Sequence, residues 1–96
     1  MNIQTNKTIV TETTIVPFNL KNGLVAFASC VVDNKFYINS IGLYSKVDSG
    51  YRVTYPNKKT QKGSLMNIFH PISKECGDAI ETAVIDEYKK LMLDNV

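Results

Sequence analysis

The side chains of this 96-residue chain that could do chemistry are few and scattered: one histidine, His70, two cysteines, Cys30 and Cys76, and a basic run in which Lys58, Lys59 and Lys62 follow Arg52. Acid-base or nucleophilic work through His70 would need a nucleophile and an orienting carboxylate within hydrogen-bond reach, and no motif supplies them. The two cysteines are far apart, form no C-x-x-C pair and have a single histidine for company. The ligand spacing of a zinc site is therefore missing, and no metal is expected. Gly63 and Gly77 belong to no G-x-G-x-x-G or G-x-x-x-x-G-K pattern, so no nucleotide-cradling loop and no cofactor is expected either. Together these features argue against an enzyme. His70, followed by Pro71 at the end of an apolar run, reads instead as a structural junction that ties a strand-to-helix passage by hydrogen bonds.

The basic run is the stronger candidate, and the charge distribution says why. The formal net charge of +2 is an average over two unlike parts. Residues 1–70 hold eight basic and three acidic side chains, net +5, whereas residues 71–96 hold three basic and six acidic, net −3. A positive region carrying an exposed lysine segment can neutralise phosphates and release their counterions, and the acidic tail would repel them. The competing reading is that these lysines only keep a sheet edge soluble. Tyr51 and Tyr55, on either side of Arg52, could stack on unpaired bases, although strand tyrosines at alternate positions are more often core.

The elements that must position these residues follow from pattern. Thr8 to Phe18, dense in Thr, Ile and Val, suits a pleated strand, and Pro17 limits its further pairing. Lys21-Asn22-Gly23 supplies residues that tolerate positive φ, and with the apolar run Leu24 to Val32 this predicts a hairpin. Both parities of that second strand are apolar or small, which predicts a central strand covered on both faces. Asp33-Asn34 makes the next turn. The third strand places Phe36 and Ile38 on even positions but Ile41 and Leu43 on odd ones, and one extra residue at Asn39-Ser40, a β-bulge, accounts for the switch.

Asp48-Ser49-Gly50 turns the chain into a fourth strand, where Tyr51, Val53 and Tyr55 alternate with an outward Arg52. Pro56 ends it. Asn57 to Gly63 reads as a polar loop, and Leu65 to Phe69 as a fifth strand stopped at Pro71. Ser73 is the predicted N-cap of a helix, with Glu75 favourable at the positive end of its dipole. Ile80, Val84, Tyr88 and Leu91 form its apolar stripe at a 3.6-residue period. Lys89 and Lys90 suit the negative end.

The expected fold class is thus α+β, an antiparallel sheet of about five strands followed by a C-terminal helix. It forms one domain over 1–96, with 1–7 a mobile polar lead, 8–70 the sheet and 73–93 the helix. Composition agrees, since 44% hydrophobic and 21% charged residues match an ordinary soluble globular chain. No run approaches the roughly 20 apolar residues of a membrane helix, and the start of the chain shows no secretory signal. A cytoplasmic location without membrane contact is expected, and Cys30 and Cys76 are then reduced packing residues rather than a disulfide. A core this small would gain from pairing with a second copy.

Several stretches together resemble one family. Tyr55-Pro56-Asn57-Lys58-Lys59-Thr60, then Gly63, then Ile68-Phe69-His70-Pro71-Ile72, and finally Ala83-Val84-Ile85-Asp86-Glu87-Tyr88 are similar to the stage V sporulation protein G (SpoVG) or septation-protein family. The resemblance runs from about Gly23 to Leu91. It implies a small homodimer with chains joined through strand pairing, and a regulator that binds DNA or RNA in septation or sporulation. The family usually has Ser-Lys-Arg-Thr where this chain has Asn57-Lys58-Lys59-Thr60, and lysine cannot reproduce the planar two-donor fork of arginine. Basic residues are also often found where Met66, Gly77 and Ala79 stand here. The expectation is therefore a nucleic-acid-binding surface built on Lys58, Lys59, Lys62 and Arg52. The alternative is a protein-interaction module that holds a division or regulatory partner without nucleic acid.

Overall fold

The computed structural model describes residues 7–18, 22–48 and 50–94. The polar lead up to residue 6, Lys21 of the first turn and Ser49 of the third lie outside the described residues. Among the described residues six strands, β1 (Val10–Pro17), β2 (Leu24–Val32), β3 (Phe36–Ser45), β4 (Tyr51–Thr54), β5 (Asn57–Lys59) and β6 (Leu65–Asn67), precede one helix, α1 (Lys74–Asp94). The fold is α+β. Strands β1 to β4 form an antiparallel sheet in chain order, and β5 pairs with β6 in a separate two-stranded sheet. No described helix is long and apolar enough to cross a membrane.

Turn chemistry sets the meander. Asn22 and Gly23 both have positive φ (67° and 85°) ahead of β2, the conformation that Asn and Gly adopt at least cost. Asp33 and Asn34 repeat it (54° and 57°) between β2 and β3, and the Lys35 N–H closes that turn on the Val32 carbonyl at 2.9 Å. Asp33 also anchors β1: its Oδ1 accepts from the Ile9 N–H at 2.9 Å while its own N–H donates to the Ile9 carbonyl at 2.7 Å.

The predicted bulge in β3 is present. Ala28 pairs with Ile41 and Cys30 with Ile38, so three steps on β3 oppose two on β2. The extra residue is taken up where Ser40 has φ 63° and donates its N–H to Asn39 Oδ1 at 2.7 Å. The consequence is that Ile38, Ile41 and Leu43 are all buried on one face, which strict alternation would forbid. A second bulge in β1 lies between Thr11 and Thr14, with Glu12 at φ 52°. A register shift between Leu24 and Ala26 marks a third irregularity.

The core lies between this face and the helix: Ala26, Ala28, Cys30 and Val32 of β2, the three β3 residues, and Ile80 and Val84 of α1. Tyr88 continues the helix stripe edge-on to Tyr51, with ring centroids 5.6 Å apart. Both cysteines are free thiols, Cys30 buried and Cys76 half-buried. Burial pushes the Cys30 thiol up from its ordinary value, with Cys76 adding to the shift. The helix starts as its cap residue dictates, because Ser73 Oγ accepts the Cys76 N–H at 3.1 Å. Glu75 has a further role: its carboxylate accepts both the N–H and the hydroxyl of Thr8, at 2.7 and 2.8 Å, and so ties the approach to β1 to the first helical turn.

Four expectations are corrected. The segment expected to be a polar loop contains strand β5, because the returning β6 supplies hydrogen-bonding partners that outweigh the poor strand propensity of Asn57-Lys58-Lys59. The fifth strand expected over Leu65 to Phe69 stops at Asn67 and does not join the main sheet. Strand β2 is internal, but only one of its faces is fully buried, since Val25, Phe27, Ser29 and Val31 are half-buried. The helix continues to Asp94 and leaves Lys89 and Lys90 short of its last turn, so Lys89 instead places its Nζ 5.8 Å from the Tyr51 ring centre.

Candidate nucleic-acid interface

The three lysines of the basic run sit on the small hairpin. Lys58 pairs opposite Met66 and Lys59 opposite Leu65, and both lysines are exposed. The turn is held from within: the Thr60 N–H donates to the Ser64 carbonyl at 2.7 Å and the Gly63 N–H to the Thr60 carbonyl at 3.0 Å. Thr60 Oγ1 also accepts from the Ser64 N–H at 3.1 Å. Gly63 needs to be glycine, with φ +87° and open space where a Cβ would stand. Lys62 is carried at this tip, exposed. At the base, the Ile68 N–H reaches back to the Pro56 carbonyl at 2.9 Å and closes the hairpin.

Among the described residues none of these lysines has an ion-pair partner. Among the described residues the one ion pair joins Lys74 to Asp78 on the exposed helix surface, at 2.7 Å. The hairpin is also unusually apolar for an exposed element: Leu65 is 71% exposed, Met66 50% and Ile68 64%, and Ile72 beyond it reaches 93%. Met66 faces Lys58 directly across the strands. A second cation there would put like charges side by side.

Arg52 is not part of this hairpin. It lies on β4 of the main sheet, exposed and in register with Tyr44, with its guanidinium carbon 4.6 Å from the Tyr44 ring centre. That is cation-π geometry. Tyr51 and Tyr55, on either side of Arg52 in the chain, turn inward, the core placement expected of alternate strand tyrosines rather than the stacking one. Tyr51 meets Tyr88, and Tyr55 packs against Phe69 at 6.3 Å. The Tyr55 hydroxyl is buried without a hydrogen-bond partner. Burial above all, reinforced by Glu81 and the two thiols, pushes its phenol up to about 12. Tyr44, the aromatic that Arg52 does use, carries no sequence signal, because only strand register brings the two together.

His70 is exposed, with Nδ1 3.1 Å from the Pro71 carbonyl, a bond in which the ring N–H donates in the Nδ1–H tautomer. Pro71 is half-buried, and its Cγ lies 3.6 Å from where a Cβ on Gly77 would stand. The junction is therefore made by Pro71 against the first turns of α1, while the described His70 side-chain bond is local. Ala79 lines an open groove of about 720 Å³ between Thr8 and the start of the helix. A second groove lies on the helix itself and is acidic, lined by Asp78, Glu81 and Asp86. Among the described residues no three His, Cys, Asp or Glu side chains cluster as metal ligands would.

The family comparison reaches further toward the N-terminus than the motifs alone, since the SpoVG family model matches residues 8–90. Three relatives share the name "Putative septation protein SpoVG". That of Archaeoglobus fulgidus is 30% identical over 84% of this chain and 94% of its own length. Those of Onion yellows phytoplasma (33% identical over 90% and 85%) and Clostridium perfringens (28% over 85% and 90%) match comparably. The match takes in the four-stranded sheet, the lysine hairpin and most of the helix, and on that ground the chain belongs to the SpoVG family.

Proposed function

We propose that this protein is a non-enzymatic, homodimeric regulator of the septation and sporulation type, acting in the cytoplasm by binding DNA or RNA phosphates. The observation that carries the reading is the hairpin, which holds Lys58, Lys59 and Lys62 exposed on a small two-stranded sheet, none of them in an ion pair among the described residues. Arg52 adds a fourth cation from β4. Six of the nine acidic side chains follow residue 70, and Asp78, Glu81 and Asp86 lie together on the helix rather than on the hairpin. Support for a dimer comes from the exposed Leu65, Met66 and Ile68 on the same hairpin. Burying such side chains against a second copy releases apolar surface from water and would leave the lysines of both copies on one assembly.

The test is a salt titration by gel shift, comparing wild type with a Lys58→Ala/Lys59→Ala variant. Each phosphate contact to duplex DNA contributes about −0.9 to the slope of log K against log salt. The variant removes two cations per copy and should flatten a dimer's slope by roughly 3 to 4. Equal affinities and slopes for the two proteins would sink the assignment of the site.

The same exposed apolar residues also favour a second reading, a protein-interaction module acting on a division or regulatory partner. A partner retained in pull-down at high salt, from material carrying no nucleic acid, would select that reading.

A further inference from the structure

The helix packs on one face of the four-stranded sheet, and the other face carries half-buried and exposed side chains among the described residues. Residues directly opposite on antiparallel strands share a face. The register therefore puts Tyr37 with Val31, Phe27 with Gly42 and Val16, and Tyr44 with Arg52 on the open side. Three features of this face are unlike an ordinary solvated sheet surface. Its aromatic rings are accessible: Tyr37 is 67% exposed and Phe18, edge-on to Phe27 at 4.9 Å, is 40% exposed. Next, a guanidinium–aromatic pair is already assembled on it. A Cβ on Gly42 would stand 3.2 Å from Tyr44 Cε1, so the Tyr44 ring reaches the space that Gly42 leaves free, and the Arg52 guanidinium carbon lies over that ring, 4.6 Å from its centre.

The third feature is charge. At the register-paired positions of this face Arg52 is the one charged side chain, and the intervening groups include the hydroxyls of Thr14, Ser29 and Thr54. Asp78, Glu81 and Asp86 belong to the helix on the far side of the sheet. Glu12, at the β1 bulge, has no register partner. Tyr37 and Tyr44 stand near opposite ends of β3, about 20 Å apart at strand rise. Flat rings separated by hydrogen-bonding groups, with a cationic plane at one end, match the faces of unpaired bases and the charge of their backbone. A duplex keeps its base faces stacked inside and cannot use such a surface.

We propose that the open face of the sheet is a stacking platform for an unpaired nucleic-acid strand, with bases laid on Tyr37 and on the Arg52 guanidinium over Tyr44. The inference rests on the nucleic-acid reading above and extends it from phosphate contact to the form of strand bound. Chain connectivity favours it, since β4, which carries Arg52, leads within a few residues into the lysine hairpin.

Fluorescence anisotropy with a short labelled oligothymidylate and with a duplex of similar length tests it, at matched salt. The single strand should bind more tightly. Tyr37→Ala should weaken single-strand binding by about 5- to 150-fold, the range for loss of one base-aromatic stack, and leave duplex binding unchanged. Arg52→Lys, which keeps the charge and loses the plane, should weaken the single strand without changing the salt slope. A preference for duplex, or indifference of single-strand binding to Tyr37→Ala, overturns the platform; the phosphate reading survives that result if Lys58→Ala/Lys59→Ala still weakens binding. A fall in solution mass on Tyr37→Ala would make the face a contact between copies and also overturn the proposal. Failure to bind either nucleic acid overturns both readings.

Discussion

Two glycine-to-alanine substitutions in this chain should move stability in opposite directions, for reasons that only the surroundings of each glycine supply. Gly42 is buried in β3, where an added Cβ would stand 2.6 Å from Thr54 Oγ1 and 3.2 Å from Tyr44 Cε1. The first distance is far inside contact, and Thr54 is held by the strand pairing of Gly42 with Thr54 itself. Overpacking of this kind costs about 1 to 3 kcal/mol. Gly77 lies near the start of α1, and its added Cβ would meet Pro71 Cγ at 3.6 Å, an ordinary contact. There alanine gains most of the helix-propensity difference, about 0.5 to 1 kcal/mol. At roughly 4 to 8 °C per kcal/mol for a domain of this size, Gly42→Ala should lower Tm by about 4 to 24 °C and Gly77→Ala raise it by about 2 to 8 °C. Thermal and urea unfolding at one protein concentration, which matters if the fold is dimeric, would measure both. Thr54→Ala removes the clashing oxygen and should recover part of the Gly42→Ala loss. Shifts of the same sign, or no recovery in the double variant, would refute the packing argument.

Two further outcomes follow from the core and the cap. The Tyr55 phenol is held at about 12 chiefly by burial, above the ordinary value of 10.0. Stability should therefore be independent of this group below pH about 10, where both states are protonated, and should fall between about 10 and 12 as the unfolded chain alone loses the proton. Tyr55→Phe should abolish that component in unfolding curves and, since the hydroxyl has no partner, should match or exceed wild type at neutral pH. Wild-type stability well above Tyr55→Phe at pH 7 would contradict this. Ser73→Ala should cost about 1 kcal/mol through loss of the cap to the Cys76 N–H, lowering Tm by about 4 to 8 °C; an unchanged Tm would mean that the first turn does not depend on its cap.

Much of the local structure was legible in the residues. Asn22-Gly23 and Asp33-Asn34 announce their turns because few other residues accept positive φ, and Ser73 marks the helix start because its hydroxyl satisfies an otherwise free amide. The β3 bulge was legible for a different reason: Phe36, Ile38, Ile41 and Leu43 change parity, and apolar groups have to stay on one side. The β1 bulge left no such trace, since Thr11-Glu12-Thr13-Thr14 offers side chains that tolerate either face. Strand β5 was missed because Asn57-Lys58-Lys59 has no strand preference of its own and pairs only when Leu65–Asn67 comes back beside it.

The candidate site divides along the same line. By itself the sequence determined that the chain carries a separated charge, a lysine-rich polar segment and the motifs of its family, because composition and local pattern do not depend on how strands are ordered. Tertiary structure alone decided that Arg52 stands over Tyr44, and that Tyr37 and Phe18 are exposed on the sheet face away from the helix. The physical reason is register: neighbours across a sheet are fixed by turn lengths and bulges accumulated along the whole chain, and a shift of one residue would have turned each of these side chains to the other face.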